Sequence, residues 1–164
     1  MHARNSALAR VFGLTLCCLV ALPTGAYAPA DNTGAAFSNR VLELTNVERR
    51  KAGLPPLVFE GRLATSAHWK AEDMAKRNYF DHADGKGRDF IDRAQDFGYK
   101  EWHYLGENIA AGQTSPEEVV AEWMASPGHR KNILKREYRE IGIAYTSVSH
   151  SEYGRYWVQE FGAR

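Results

Sequence analysis

Both cysteines of the chain, Cys17 and Cys18, fall inside one uncharged apolar run, residues 11–22. Arg4 and Arg10 precede the run, Pro23 and Gly25 break it, and Ala26-Tyr27-Ala28 supplies a small-x-small pattern. That order is the order of a secretory signal peptide, 1–28, with cleavage after Ala28. At 12 residues the run is shorter than the ~20 a spanning helix needs. Leu16 before Cys17, and Cys17 before Cys18, give neither thiol the small neighbour of a lipoprotein site. Of the 164 residues, 136 then remain, and none is a cysteine. An exported domain with no disulfide must be held by its apolar core. A chain of this length buries about two thirds of its surface, which is enough to build one.

Charge narrows the partners. Removing Arg4 and Arg10 leaves 19 Lys+Arg against 20 Asp+Glu, so the net charge moves from +1 to −1. Neither value suits a general nucleic-acid or polybasic membrane binder. The expectation is a secreted or periplasmic protein with no transmembrane segment after cleavage and no nucleic-acid partner. Its single domain covers 37–164, after a short flexible lead-in at 29–36.

Phe37, Val41 and Leu44 recur at helical spacing, which predicts a helix over about 38–51, ended by Gly53 and Pro55-Pro56. Leu63, Ala64, Ala67, Ala71, Met74 and Ala75 stripe a second helix over about 60–77. Their small size predicts close approach to a neighbour. Phe90, Ala94 and Phe97 mark a short third helix stopped by Gly98. Ser115-Pro116-Glu117-Glu118 reads as a capping box with proline at the first helical position, opening a fourth. Ser126-Pro127-Gly128 ends it in a turn, with one more helical turn around Asn132-Ile133-Leu134. Two strand-like runs, 141–147 and 156–161, close the chain. Helices first and strands last favour an α+β fold.

Generic motifs for catalysis are missing. No H-E-x-x-H, G-x-S-x-G or phosphate-binding glycine loop is present, and the cysteines leave with the signal. Three polar residues stand at element ends or in loops, where sites tend to lie: His82 in Tyr79-Phe80-Asp81-His82, Glu107 in Gly106-Glu107-Asn108-Ile109, and His129 after Pro127-Gly128. Spacing alone reads them equally well as a turn residue, a carboxylate accepting backbone N–H groups and a helix-start residue. His68, within the alanine stripe, reads as a core or boundary histidine. Lys131, Lys135, Arg136 and Arg139, interrupted by Glu137 and Glu140, read as a solvated face.

In their order and spacing these segments resemble the CAP superfamily, also called the SCP-like or cysteine-rich secretory, antigen 5 and pathogenesis-related domain, in its bacterial secreted branch. The resemblance covers Asn46-Val47-Glu48-Arg49 with Gly53-Leu54-Pro55-Pro56-Leu57. It continues through Phe80-Asp81-His82, Gly106-Glu107-Asn108-Ile109-Ala110 and the run from Trp123 through Ser126-Pro127-Gly128-His129 to Leu134. It ends on Tyr156-Trp157-Val158-Gln159-Glu160-Phe161-Gly162. It implies an α-β-α sandwich, a small central sheet between helical layers. It also implies a cleft with two histidines and two acidic residues that binds a divalent metal in some members. His82, Glu107 and His129 match three of the four. At the fourth position, where many animal and plant members carry a Glu three residues after the helix tryptophan, this chain has Ser126, and Glu122 lies before the tryptophan instead.

The resemblance thus makes His82, Glu107 and His129 candidate metal ligands, with Glu122 and Ser126 as further candidates for the fourth place. Two imidazoles and a carboxylate suit Zn²⁺ better than Mg²⁺ or Ca²⁺. The expected function is a secreted binding domain whose cleft holds a lipid, peptide or cell-surface ligand. The alternative is a metal-dependent hydrolase using the same His/Glu cleft, with His82, Glu107 and His129 as candidate catalytic residues.

Overall fold

The computed structural model describes residues 33–164; the signal peptide read from residues 1–28 lies outside the described residues. The first helix, α1, runs Thr33–Lys51, so it begins before the expected start and takes up residues 33–36 of the lead-in. After it come β1 (Val58–Phe59), α2 (Gly61–Arg77), α3 (Phe90–Asp96) and β2 (Tyr104–Ala111). The chain continues with α4 (Pro116–Ala125), α5 (Pro127–Ile133), β3 (Glu140–Ser147) and β4 (Arg155–Ala163).

Helix starts follow local chemistry. The Glu60 carboxylate accepts from the Arg62 and Leu63 N–H groups, Asp89 accepts from Ile91 and Asp92, and Ser115 accepts from Glu118 behind Pro116. Asn78 closes α2 in the left-handed region at φ 55°, a conformation asparagine tolerates better than most residues. The stretch after Ser126 is not a turn. Pro127 is pre-organised for a first helical position, so the chain bends at Ser126 and starts α5 at once, with His129 inside it.

The strands form one sheet in the order β1-β3-β4-β2, with β1 parallel to β3 and the other pairs antiparallel. The sequence reading missed β2, in which Glu107 lies directly opposite Glu160. Five consecutive residues of β2, from Gly106 to Ala110, are buried, so no exposed face supplies the alternation that betrays a strand.

Helices cover both faces, which makes the expected α-β-α sandwich. Trp157 and Phe161 of β4, with Ile141 and Ile143, pack against Val41 of α1, Val119, Val120 and Trp123 of α4 and Ile133 of α5. On the other face Tyr156 and Val158, with Ile109 and Ala144, meet Ala67, Ala71, Met74 and Ala75 of α2. The alanine stripe does permit close approach. A Cβ at Gly142 of β3 would sit 2.1 Å from the Ala64 amide nitrogen of α2, so only glycine fits there.

As the outer strand on its side, β2 is blunted. The carbonyls of Leu105, Glu107 and Ile109 accept from the Tyr138 hydroxyl at 2.8 Å, Asn132 Nδ2 at 3.0 Å and Trp123 Nε1 at 3.2 Å. Side chains from α4, α5 and the following loop thus take the acceptors another strand would use.

Candidate functional site

The site begins with the loop between α2 and α3. Two buried cations hold its backbone: Lys70 Nζ donates to the Ala83 carbonyl at 2.9 Å, and Arg93 Nη1 donates to the His82 carbonyl at 3.0 Å. Lys70 also donates to the Tyr79 hydroxyl at 3.0 Å, which donates to Asp73 at 2.6 Å. Burial, then the nearby Arg93 charge, pulls the Lys70 ammonium down to about 8.

His82 sits on this anchored loop with its side chain 53% exposed, while the Glu107 side chain is fully buried. His82 Nδ1 lies 2.8 Å from Glu107 Oε1. A carboxylate only accepts, so Nδ1 carries a proton, and in the neutral ring Nε2 is the lone-pair nitrogen. The other oxygen of Glu107 is taken by Arg93 Nη2. One buried guanidinium therefore holds both the backbone of His82 and the carboxylate that orients its ring.

His129 arrives from the opposite wall on α5. A buried amide network fixes it. Asn108 Nδ2 donates to the His129 carbonyl at 3.2 Å, and Asn132 Nδ2 donates to Asn108 Oδ1 at 2.9 Å and to the Glu107 carbonyl at 3.0 Å. Asn108 Nδ2 also reaches Gln159 Oε1 at 3.2 Å, and Gln159 Nε2 donates to Thr45 at 2.8 Å. The asparagine after Glu107 thus ties strand to helix. Burial, then repulsion from His82, lowers the pKa of His129 below its ordinary value.

His82 and His129 share a cleft of about 290 Å³ with Phe80, Asp81 and Ile109. A second hollow of about 270 Å³ shares Phe80, Ile109 and His129 with it and carries Gln113, Glu122 and Ser126 on its walls. Four of the five sequence candidates, His82, His129, Glu122 and Ser126, thus line two adjoining hollows that share residues. Glu107 stands behind the wall, and Glu122 and Ser126 flank the second half. Glu122 Oε2 accepts from Gln113 Nε2 at 2.5 Å. Larger hollows lie elsewhere, one with His68 on its wall near Phe59 and one beside Arg139 and Arg164. Neither joins two histidines to a buried carboxylate, so chemistry rather than size selects the cleft.

Among the described residues no three His, Cys, Asp or Glu side chains gather as one metal-ligand group. Both Glu107 oxygens face inward to His82 and Arg93, so an ion in the cleft would meet the imidazoles of His82 and His129. Two imidazoles are one ligand short of the three protein ligands of an open zinc site.

Sequence reading missed Arg93 and Glu160. Glu160 lies behind the pair, fully buried, accepting from Ser66 Oγ at 2.8 Å, with Arg93 Nη2 4.0 Å away. Burial, then the Glu107 charge across the strand pair, pushes its carboxyl well above the usual range. Besides the nearby Arg88 carbonyl, the partners of Arg93 lie 11 and 14 residues distant, so little in the local sequence betrays it.

Over residues 42–161 the sequence matches CAP, the cysteine-rich secretory protein family. The chain belongs to that family. Its described domain contains none of the cysteines the name advertises. An uncharacterized protein of Bacillus subtilis, YkwD, is 43% identical over 138 residues, which is 84% of this chain and 51% of that protein. An uncharacterized membrane protein of the same organism, YlbC, is 34% identical over 74% of this chain and 33% of its own length. The chain therefore spans about half, or less, of these relatives. An extracellular protein with an SCP domain from Bacillus anthracis superimposes with a TM-score of 0.71 at 27% identity, covering 80% of this chain and 41% of that one. An outer surface protein of Borrelia burgdorferi shares the fold, with a TM-score of 0.73 at 19% identity over 82% and 96% of the two chains. Among the described residues no helix is long and apolar enough to cross a membrane.

Proposed function

We propose that this CAP domain works outside the cytoplasm as a binding module. Its ligand sits in the His82–His129 cleft, with a divalent ion able to join it at the two imidazoles. The observation that carries this reading is the buried Arg93–Glu107 pair behind a half-exposed histidine. Burying an ion pair costs several kcal/mol of desolvation per ion, and stability alone is served as well by apolar packing. The pair instead fixes the direction of His82 Nε2. The signal-like segment at residues 1–28 and the extracellular SCP-domain neighbour support the location.

The hydrolase alternative draws on the same imidazole–carboxylate pair, which is also how a general base is oriented. Within either reading Glu107 orients His82, and the ion would supply Lewis acidity to whatever occupies the cleft.

Titration calorimetry with Zn²⁺ tests the site. One binding event is expected in the wild type and none in His82→Ala/His129→Ala. Affinity falls as pH drops below the ordinary histidine value of about 6.5, because protonated rings cannot ligate. Equal Zn²⁺ affinity in wild type and double variant would remove the ion from the proposal.

A further inference from the structure

The two edges of the sheet are finished differently. On the β2 side, three side chains take the outward carbonyls. On the other side β1 covers only the start of β3, with Val58 opposite Glu140 and Phe59 opposite Ile141. The Val58 N–H donates to the Arg139 carbonyl and the Glu60 N–H to the Ile141 carbonyl, each at 2.9 Å. The chain then leaves the edge to form α2, while β3 continues to Ser147.

Alternate residues of a strand offer their backbone groups to opposite neighbours. Ile141 faces β1, so Ile143 and Tyr145 face the same way, and Gly142 and Ala144 face β4. Among the described residues, no hydrogen bond reaches the outward N–H and C=O groups of Ile143 and Tyr145. Beside β1 the matching groups are closed: Asn46 accepts from the Leu57 N–H at 2.7 Å and donates to its carbonyl at 3.0 Å. Ile143 is buried, and unpaired backbone groups at a buried position are costly.

Ile143 and Tyr145 line a hollow of about 410 Å³ together with Gly34 and Ser38 of α1, Phe59, and Ala64 of α2. A Cβ on Gly34 would lie 3.7 Å from the Tyr145 carbonyl oxygen, which places that acceptor at the α1 side of the hollow. Phe59 is 55% exposed at its lip. None of the lining residues is Asp, Glu, Lys or Arg.

These features select an occupant. Two donors and two acceptors spaced along a strand edge match the backbone of an extended peptide, the groups that strand addition uses. A charged side chain entering the hollow would lose water and meet no counter-charge. The neighbouring Ala35, Ala64 and Ala144 leave room for small or β-branched side chains.

We propose that the open edge of β3 at Ile143 and Tyr145 is a docking site for an uncharged, extended peptide segment of a partner protein, added to the sheet in line with β1. The site goes beyond the His82–His129 cleft and shares no lining residue with it.

Amide hydrogen exchange of the purified protein reads the edge first. Gly142 and Ala144 are expected to exchange slowly and Ile143 and Tyr145 fast. The acetylated, amidated pentapeptide Thr-Val-Ala-Val-Thr is then added. It is expected to bind saturably in the millimolar range or tighter, to slow the Ile143 and Tyr145 amides, and to leave the His82 and His129 ring signals in place. Its fully N-methylated form has no N–H to donate and is expected to bind about tenfold more weakly. Ala35→Trp, at an exposed position of α1 beside the hollow, is expected to weaken the unmodified peptide by a similar factor. No saturable binding, or equal binding of the N-methylated form, overturns the proposal. So does protection of the Ile143 and Tyr145 amides before any peptide is added. Protection that grows with protein concentration would assign the edge to a second copy, and protection independent of concentration to another segment of this chain.

Discussion

The two faces of the sheet are built on opposite principles. Beneath α1, α4 and α5 lie large apolar side chains: Trp123, Trp157, Phe161, Ile133 and Ile141 are essentially without solvent exposure. Beneath α2 and α3 lie small residues around a buried cluster of Lys70, Arg93, Glu107 and Glu160. A disulfide-free domain concentrates its transfer free energy on the first face. The second face can then carry charges that cost stability and orient His82. Strand β4 joins them: Trp157, Gln159 and Phe161 point one way, Tyr156, Val158 and Glu160 the other.

Breaking the apolar face should have the largest effect. Trp157→Ala removes a fully buried indole and a stacked ring at 5.7 Å from Phe37. A loss of about 3–5 kcal/mol in urea unfolding is expected. At low denaturant the amide shifts around His82 should stay in place. A variant that loses the His82 environment while still folded would show that the two faces are not separable.

On the polar face, Arg93→Met should cost about 3 kcal/mol, because it strands the Glu107 carboxylate in the interior. Unlike the tryptophan change, it should also alter the His82 ring signals and weaken Zn²⁺. Adding Glu107→Leu should recover much of the stability and none of the His82 order. A double variant no more stable than Arg93→Met alone would argue against charge burial as the cause.

Lys70 sharpens the contrast through pH. Its folded value is about 8 against an ordinary 10.5, so between those values the unfolded chain binds more protons and stability rises with pH. The gain amounts to about 3 kcal/mol over that window. Lys70→Met should lose this slope, whatever its effect at neutral pH. Parallel pH profiles for the two proteins would contradict the assignment.

Much of the first face was legible in the sequence, because heptad-like spacing, the Ser115 cap and the alternation in β4 are local signals. His82 and His129 were legible through the resemblance, as was Glu107. The strand under Glu107 was not: β2 is buried across most of its length, so Gly106 and Asn108 look like loop chemistry. Their reasons are tertiary. A Cβ at Gly106 would meet the Tyr138 hydroxyl at 2.1 Å, and Asn108 serves His129 and Gln159. Arg93 and Glu160 were invisible for the same cause, since a buried ion pair has no sequence period. The start of α5 was hidden because Ser-Pro-Gly punctuates a turn and a helix N-terminus alike.

The most direct test of the central claim is the tautomer of His82, read from its ring ¹⁵N shifts above the pH at which it protonates. The buried carboxylate predicts a proton on Nδ1 and a bare Nε2 in the wild type, with that preference lost in Glu107→Gln. A proton on Nε2 in the wild type, or the same tautomer in both proteins, would contradict an orienting role for Glu107 and with it the reading of the cleft.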